Sequence, residues 1–169
     1  VPAIACGARV GVVEQLFDTV NGLPTHILVI HVVVVLLPLS ALGALVIAAV
    51  PRWSAKFGPL VWVGALVSTG ASFVAEESGE KLATRVGLPI EHAQQGEQVK
   101  YFAFALFVLT LVLWIYDRRH DYRRLLMKIV AIAVAIAAVA AIWSAVRAGD
   151  SGAAAVWRTI IENTPTPPQ

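Results

Sequence analysis

Four long apolar stretches, at about residues 27–50, 57–75, 101–116 and 125–146, constrain this chain more than any other feature. Most approach the roughly 20 residues a helix needs to cross the hydrocarbon core of a bilayer. In lipid every backbone N–H and C=O must be satisfied within the protein, so such runs read as membrane-spanning helices. The expected fold is all-α: a polytopic membrane protein, a four-transmembrane-helix bundle with short flanking surface helices. The chain has 169 residues, 58% hydrophobic and 14% charged, which leaves no room for a second globular domain. It divides into an N-terminal tail (1–22), a four-helix domain (23–148) and a C-terminal tail (149–169). An interfacial helix is expected at Val12–Val20, and a short amphipathic one at Ala153–Glu162.

Charge sets the expected orientation. Arg52, Lys56, Arg118, Arg119, Arg123, Arg124 and Lys128 fall in the two connections at one end of such a bundle, diluted only by Asp117 and Asp121. The other end carries six basic residues against nine acidic ones. Short loops rich in Lys and Arg stay in the cytoplasm. Both termini and the 76–100 connection should therefore face outward from a bacterial cytoplasmic membrane, with Arg118, Arg119, Arg123 and Arg124 as topology determinants. Basic residues confined to two short loops do not make a nucleic-acid surface; the partner they imply is the lipid bilayer. Cys6 is the only cysteine, which excludes an internal disulfide and a Cys-rich metal site. No basic segment precedes an apolar core at the start, so the first helix is expected to act as the insertion signal.

Several local features refine this plan. Asn21-Gly22-Leu23-Pro24 predicts a turn, and Pro38 predicts a kink in the first helix. Helix two is expected to begin near Phe57 or Pro59 and to run through Glu80. Its Gly64, Ser68, Ser72, Glu76 and Glu80 recur every four residues, and small and polar groups in a membrane helix face other helices. Glu76 and Glu80 are accordingly expected to look inward. Gly87-Leu88-Pro89 marks the next turn, and Trp114 and Tyr116 suit an aromatic belt. No internal repeat stands out.

The chemistry-bearing residues gather at the end opposite the arginines. His26, His31 and His92 belong there, whereas His120 lies among the arginines. Glu76, Glu77 and Glu80 close helix two, and Glu91, His92, Gln95 and Glu97 open helix three. Imidazole with carboxylate suits zinc, iron, copper or manganese. A bis-histidine haem b on His31 and His92 is a separate possibility. The candidate metal or haem residues are thus His31, His92, Glu76, Glu80 and His26. The competing reading makes His31 a structural hydrogen-bonder to Ser72 or a carboxylate, and the charges an ion-pair cluster with Lys81, Arg85 and Lys100. No nucleophile–base set and no phosphate-binding Gly loop is present. Ser68 and Ser72 read as packing positions, so enzymatic activity stays open.

The segment Gly22-Leu23-Pro24-Thr25-His26-Ile27-Leu28-Val29-Ile30-His31, together with Glu76-Glu77-Ser78-Gly79-Glu80-Lys81-Leu82 and Glu91-His92-Ala93-Gln94-Gln95-Gly96-Glu97, resembles a bacterial membrane family, domain of unknown function 2231. The resemblance covers roughly residues 16–148. It implies a four-helix bacterial membrane protein. Some relatives are joined to Rieske-type iron–sulfur domains, which implies an electron-transfer neighbourhood and a respiratory or Rieske-type redox partner. The resemblance supplies no reaction.

Two functions from different classes follow. The first is a metal- or haem-binding module linked to membrane electron transfer, with His31 and His92 as ligands and Glu76 or Glu80 beside them. The second is a non-catalytic accessory or structural subunit of a larger respiratory or transport complex. A small transporter fits less well, because no charged residue falls near the membrane midplane.

Overall fold

The computed structural model describes residues 17–87, 89–119 and 124–164. Cys6, Arg9, His120, Asp121 and Arg123 lie outside the described residues, as does most of the interfacial helix expected at Val12–Val20. Of its described residues, Phe17 and Asp18 are helical and Thr19–Val20 are not. Thr19–Val20 (β1) pairs antiparallel with Leu23–Pro24 (β2). Asn21 and Gly22 between them both have positive φ, 52° and 81°. An Asn-Gly pair accepts this left-handed turn at little cost.

Four helices follow: α1 (Thr25–Ala49), α2 (Pro51–Val86), α3 (Ile90–Arg119) and α4 (Arg124–Asn163). Each contains a span long and apolar enough to cross a membrane. The protein is an all-α, four-helix membrane bundle. At 1.5 Å per residue, the 40 residues of α4 reach about 60 Å and the 25 of α1 about 37 Å, against a hydrocarbon core of about 30 Å. The longer helices therefore overhang the bilayer.

Two boundaries differ from expectation. Residues 51–57 are not a loop but the first turns of α2, and Val50 alone joins α1 to α2. Pro51 at the first helical position explains this, since its fixed φ suits a helix start and its missing N–H would be unpaired there anyway. Pro59 is then carried inside the helix. Likewise α4 continues through Gly149 to Asn163, so the surface helix expected at Ala153–Glu162 is the end of α4. Its two interior glycines, Gly149 and Gly152, cost only about 1 kcal/mol each.

The core is a column of small and branched residues: Leu37 and Ile47 from α1, Ala65 from α2, Leu106 from α3, Val134 and Ala141 from α4. Large side chains such as Leu60, Ile136 and Val139 point outward, as a lipid-facing surface requires. Several buried hydroxyls find acceptors on their own helices, whereas the buried Ser54 Oγ has no hydrogen-bond partner among the described residues. Ser68 donates to the Gly64 carbonyl, Ser72 to Ser68 and Thr110 to Leu106, each at 2.8 Å. No water competes for these groups within the bilayer, so such back-bonding satisfies them locally. Ser68 and Ser72 thus serve packing.

Toward the arginine-rich end, Trp114 packs onto Gly58 rather than into a lipid-facing belt. Its ring lies 6.4 Å from that of Trp62, and the Arg118 guanidinium sits 5.0 Å above it. A Cβ at Gly58 would overlap the Trp114 ring, whereas one at Gly70 meets nothing within 4 Å. Gly58→Leu should therefore cost about 1–3 kcal/mol by overpacking. This is a fall of roughly 3–10 °C in the thermal unfolding midpoint of the detergent-solubilised protein. Gly70→Ala should leave the midpoint unchanged; equal effects of the two would refute the packing described.

Candidate functional site

At the other end of the bundle, α1 and α3 each begin with a histidine within their first three residues, and each histidine reaches the following helix. His26 Nδ1 lies 2.7 Å from the Ala75 carbonyl oxygen on α2. His92 Nδ1 lies 3.1 Å from the Ala148 carbonyl oxygen on α4, with Ser151 Oγ at 3.3 Å. A carbonyl can only accept, so each ring carries a proton on Nδ1, and in its neutral form Nε2 keeps the lone pair. The two rings meet edge to face, with centres 6.2 Å apart and an interplanar angle of 82°.

Two glycines make the approach possible. In a helix, the side chain at i+4 overhangs the carbonyl of residue i. Gly79 stands in that position over Ala75, and Gly152 over Ala148. A Cβ at Gly79 would fall 2.9 Å from His26 Nδ1, and one at Gly152 would fall 2.9 Å from His92 Cε1. The serines before the two glycines bond differently: Ser78 donates to the Val74 carbonyl at 2.7 Å, with the Ala75 carbonyl farther at 3.2 Å, whereas Ser151 donates to the Ala148 carbonyl at 3.1 Å.

The arrangement is repeated in the sequence, contrary to the expectation of no repeat. Ala75-Glu76-Glu77-Ser78-Gly79 answers to Ala148-Gly149-Asp150-Ser151-Gly152, and Gly22-Leu23-Pro24 before His26 answers to Gly87-Leu88-Pro89 before His92. Gly22 and Gly87 share a positive φ, 81° and 85°. Each hairpin thus carries a histidine socket of the same construction. Unequal separations, 49 residues from His26 to Ala75 and 56 from His92 to Ala148, hide the repeat from any search at a fixed period.

The other expected site residues fall elsewhere. His31 is exposed, and its Nδ1 lies 2.5 Å from the Ile27 carbonyl oxygen of its own helix, so Ser72 is not its partner. The ring that meets His92 is that of His26. Glu76 is half-buried and pairs with Lys100 at 2.5 Å, while Glu97 lies 3.9 Å from the same ammonium. Glu80, expected to look inward, is exposed. Positions four apart drift by about 40° per step, so Ala75 and Ser78 hold the inner face by that level. Glu91 accepts from Gln95 Nε2 at 3.0 Å, and Arg85 pairs with Asp18. Among the described residues, no three His, Cys, Asp or Glu side chains converge closely enough to hold a metal ion. An open cleft of about 420 Å³ between α3 and α4, lined by His92, Gln95, Arg147 and Ser151, reaches His92 from outside.

The profile of a family described as predicted membrane protein (DUF2231) matches residues 22–165, which span all four helices and both histidine sockets. No curated protein and no solved structure matches the chain. The chain belongs to the DUF2231 family of predicted membrane proteins.

Proposed function

We propose that this protein is a metal- or haem-binding module of a membrane electron-transfer system, with His26 and His92 as its nitrogen ligands. One observation carries the reading: each ring has its Nδ1–H held by a backbone carbonyl, which leaves Nε2 as a donor. Metal-ligating histidines almost always have their second nitrogen fixed in this way. His26 replaces His31 as the partner of His92 because His31 points away from the bundle. Glu76 is the counter-ion of Lys100 in this reading, and Glu80 remains a solvated charge.

In the same reading the membrane is the bacterial cytoplasmic one, with the arginine-rich end inside and the histidines and both termini outside. The charge bias of the connections supports this orientation. A redox partner of respiratory or Rieske type would approach the overhanging ends of α2 and α4. The competing function, an accessory subunit, draws on the same fit of ring to glycine, because a tight keystone needs no metal.

Metal and haem analysis of the gently solubilised protein separates the two. A metal-binding module carries near-stoichiometric transition metal or haem, lost in His92→Ala and kept in His31→Ala. A folded protein free of both would support the accessory role instead, and equal loss in the two variants would refute the exclusion of His31 from the site. Orientation has its own test through the single cysteine: a membrane-impermeant maleimide applied to intact cells should label Cys6. In a Cys6→Ser background it should spare Asp121→Cys, and the reverse pattern would invert the topology.

A further inference from the structure

We infer that the cleft between α3 and α4 binds the headgroup of a zwitterionic phospholipid with a primary amine, its phosphate on Arg147 and its ammonium toward Asp150 and Glu91. All three side chains line this open cleft of about 420 Å³. The inference goes beyond the metal reading and does not depend on it.

The inner end of the cleft meets the lipid. The apolar run of α4 closes at Val146, and Arg147 is the first charge after it. Trp143, one turn below, is 55% exposed, as suits an indole at the boundary between hydrocarbon and headgroups. The Arg147 guanidinium lies 4.8 Å from the centre of that ring. A guanidinium stacked on an aromatic face keeps its in-plane N–H donors free, and their fork matches a phosphate. Val139, Trp143, Arg147, Asp150 and Ala154 recur every three or four residues, so the lipid-facing stripe of α4 runs directly into the cleft. Acyl chains lying against Val139 and Trp143 bring their own phosphate to the level of Arg147.

The order of charges along the cleft then matches such a headgroup. Asp150 stands about 4.5 Å further from the bilayer than Arg147 along the helix. Glu91 is near the same level, because its neighbour His92 reaches the Ala148 carbonyl and Ser151. Among the described residues, Arg147 and Asp150 have no ion-pair partner, and Glu91 accepts from the neutral Gln95 amide. The cleft therefore offers a cation beside the lipid and two carboxylates beyond it. A phospholipid carries its phosphate nearest the acyl chains and its amine outside that. A primary ammonium brings three N–H donors to the two carboxylates. A trimethylated amine brings none, and a glycerol headgroup brings no positive charge.

The test gives the delipidated full chain, in detergent micelles, equal amounts of dioleoyl phosphatidylethanolamine, phosphatidylcholine and phosphatidylglycerol, and reads bound lipid by native mass spectrometry. Phosphatidylethanolamine should be retained in preference to either competitor by about fivefold, the size of one partly exposed charge-assisted contact. Arg147→Gln should lower retention of all three lipids. The double variant Glu91→Gln, Asp150→Asn should still retain lipid but lose the preference. Arg52→Gln, which removes an exposed charge at the opposite end of the bundle, should change nothing. Unselective retention, an unchanged preference in the double variant, or equal effects of Arg147→Gln and Arg52→Gln overturns the inference. Soluble O-phosphoethanolamine should not raise the thermal unfolding midpoint; a rise equal to that given by the lipid would make the occupant a free phosphate ester instead. None of these readouts depends on metal content, so failure here leaves the histidine reading standing, and a metal-free protein leaves this inference standing.

Discussion

The organisation of this bundle turns on a backbone carbonyl accepting a hydrogen bond from outside its own helix. A helical C=O is already used by the N–H four residues on, and only its second lone pair remains. In most helices the overhanging side chain blocks that lone pair. Here Gly79 and Gly152 clear it, and Ala75 and Ala148 each receive an imidazole N–H from the preceding helix. The bond closes each hairpin opposite its connection, where no loop would otherwise hold the two helices together. At a membrane boundary such a bond is weakly contested by water, and leaving the histidine N–H buried without it would cost about 1–3 kcal/mol.

The same geometry settles the electronic state of the rings. Because the carbonyls accept from Nδ1, the nitrogen left over on each neutral ring is the basic one, and the two rings come from two hairpins rather than from one helix, with centres 6.2 Å apart. Structure and chemistry are therefore not competing explanations for the glycines. The feature that locks the hairpins also prepares the lone pairs. Beside the pair, the half-buried Lys100 is balanced by Glu76 on the adjoining helix. A half-buried charge at this level demands a partner, so the carboxylate most suited to join a metal is already committed.

Much of this was readable in the chain. Four apolar runs announced four helices, and the clustering of His26, His92, Glu76 and Glu91 at one end followed from their positions beside the turns. The choice between His26 and His31 was also encoded, though faintly. Ser40 is the small polar residue of α1 and is buried. Counting back at about 100° per residue, His26 lies within about 40° of its face and His31 about 180° away. The four-residue stripe misled at Glu80 because drift accumulates with each step. The repeat was missed because its conspicuous pieces are only three and five residues long, and their significance lies in carbonyls and missing side chains that a sequence does not display. The expected start of helix two near Phe57 or Pro59 falls too late because Pro51, which cannot continue one helix, readily begins the next.

The tautomers of the two imidazoles test the central claim most directly. Nitrogen-15 correlation spectra of the histidine-labelled protein in micelles, at about pH 8 where an ordinary imidazole is neutral, distinguish a proton on Nδ1 from one on Nε2. The structure requires His26 and His92 both to carry it on Nδ1, with His92→Asn and His26→Asn assigning the signals. If either ring proves to be protonated on Nε2, the carbonyl bond is not made as described, and the paired lone pairs on which the functional account depends do not exist.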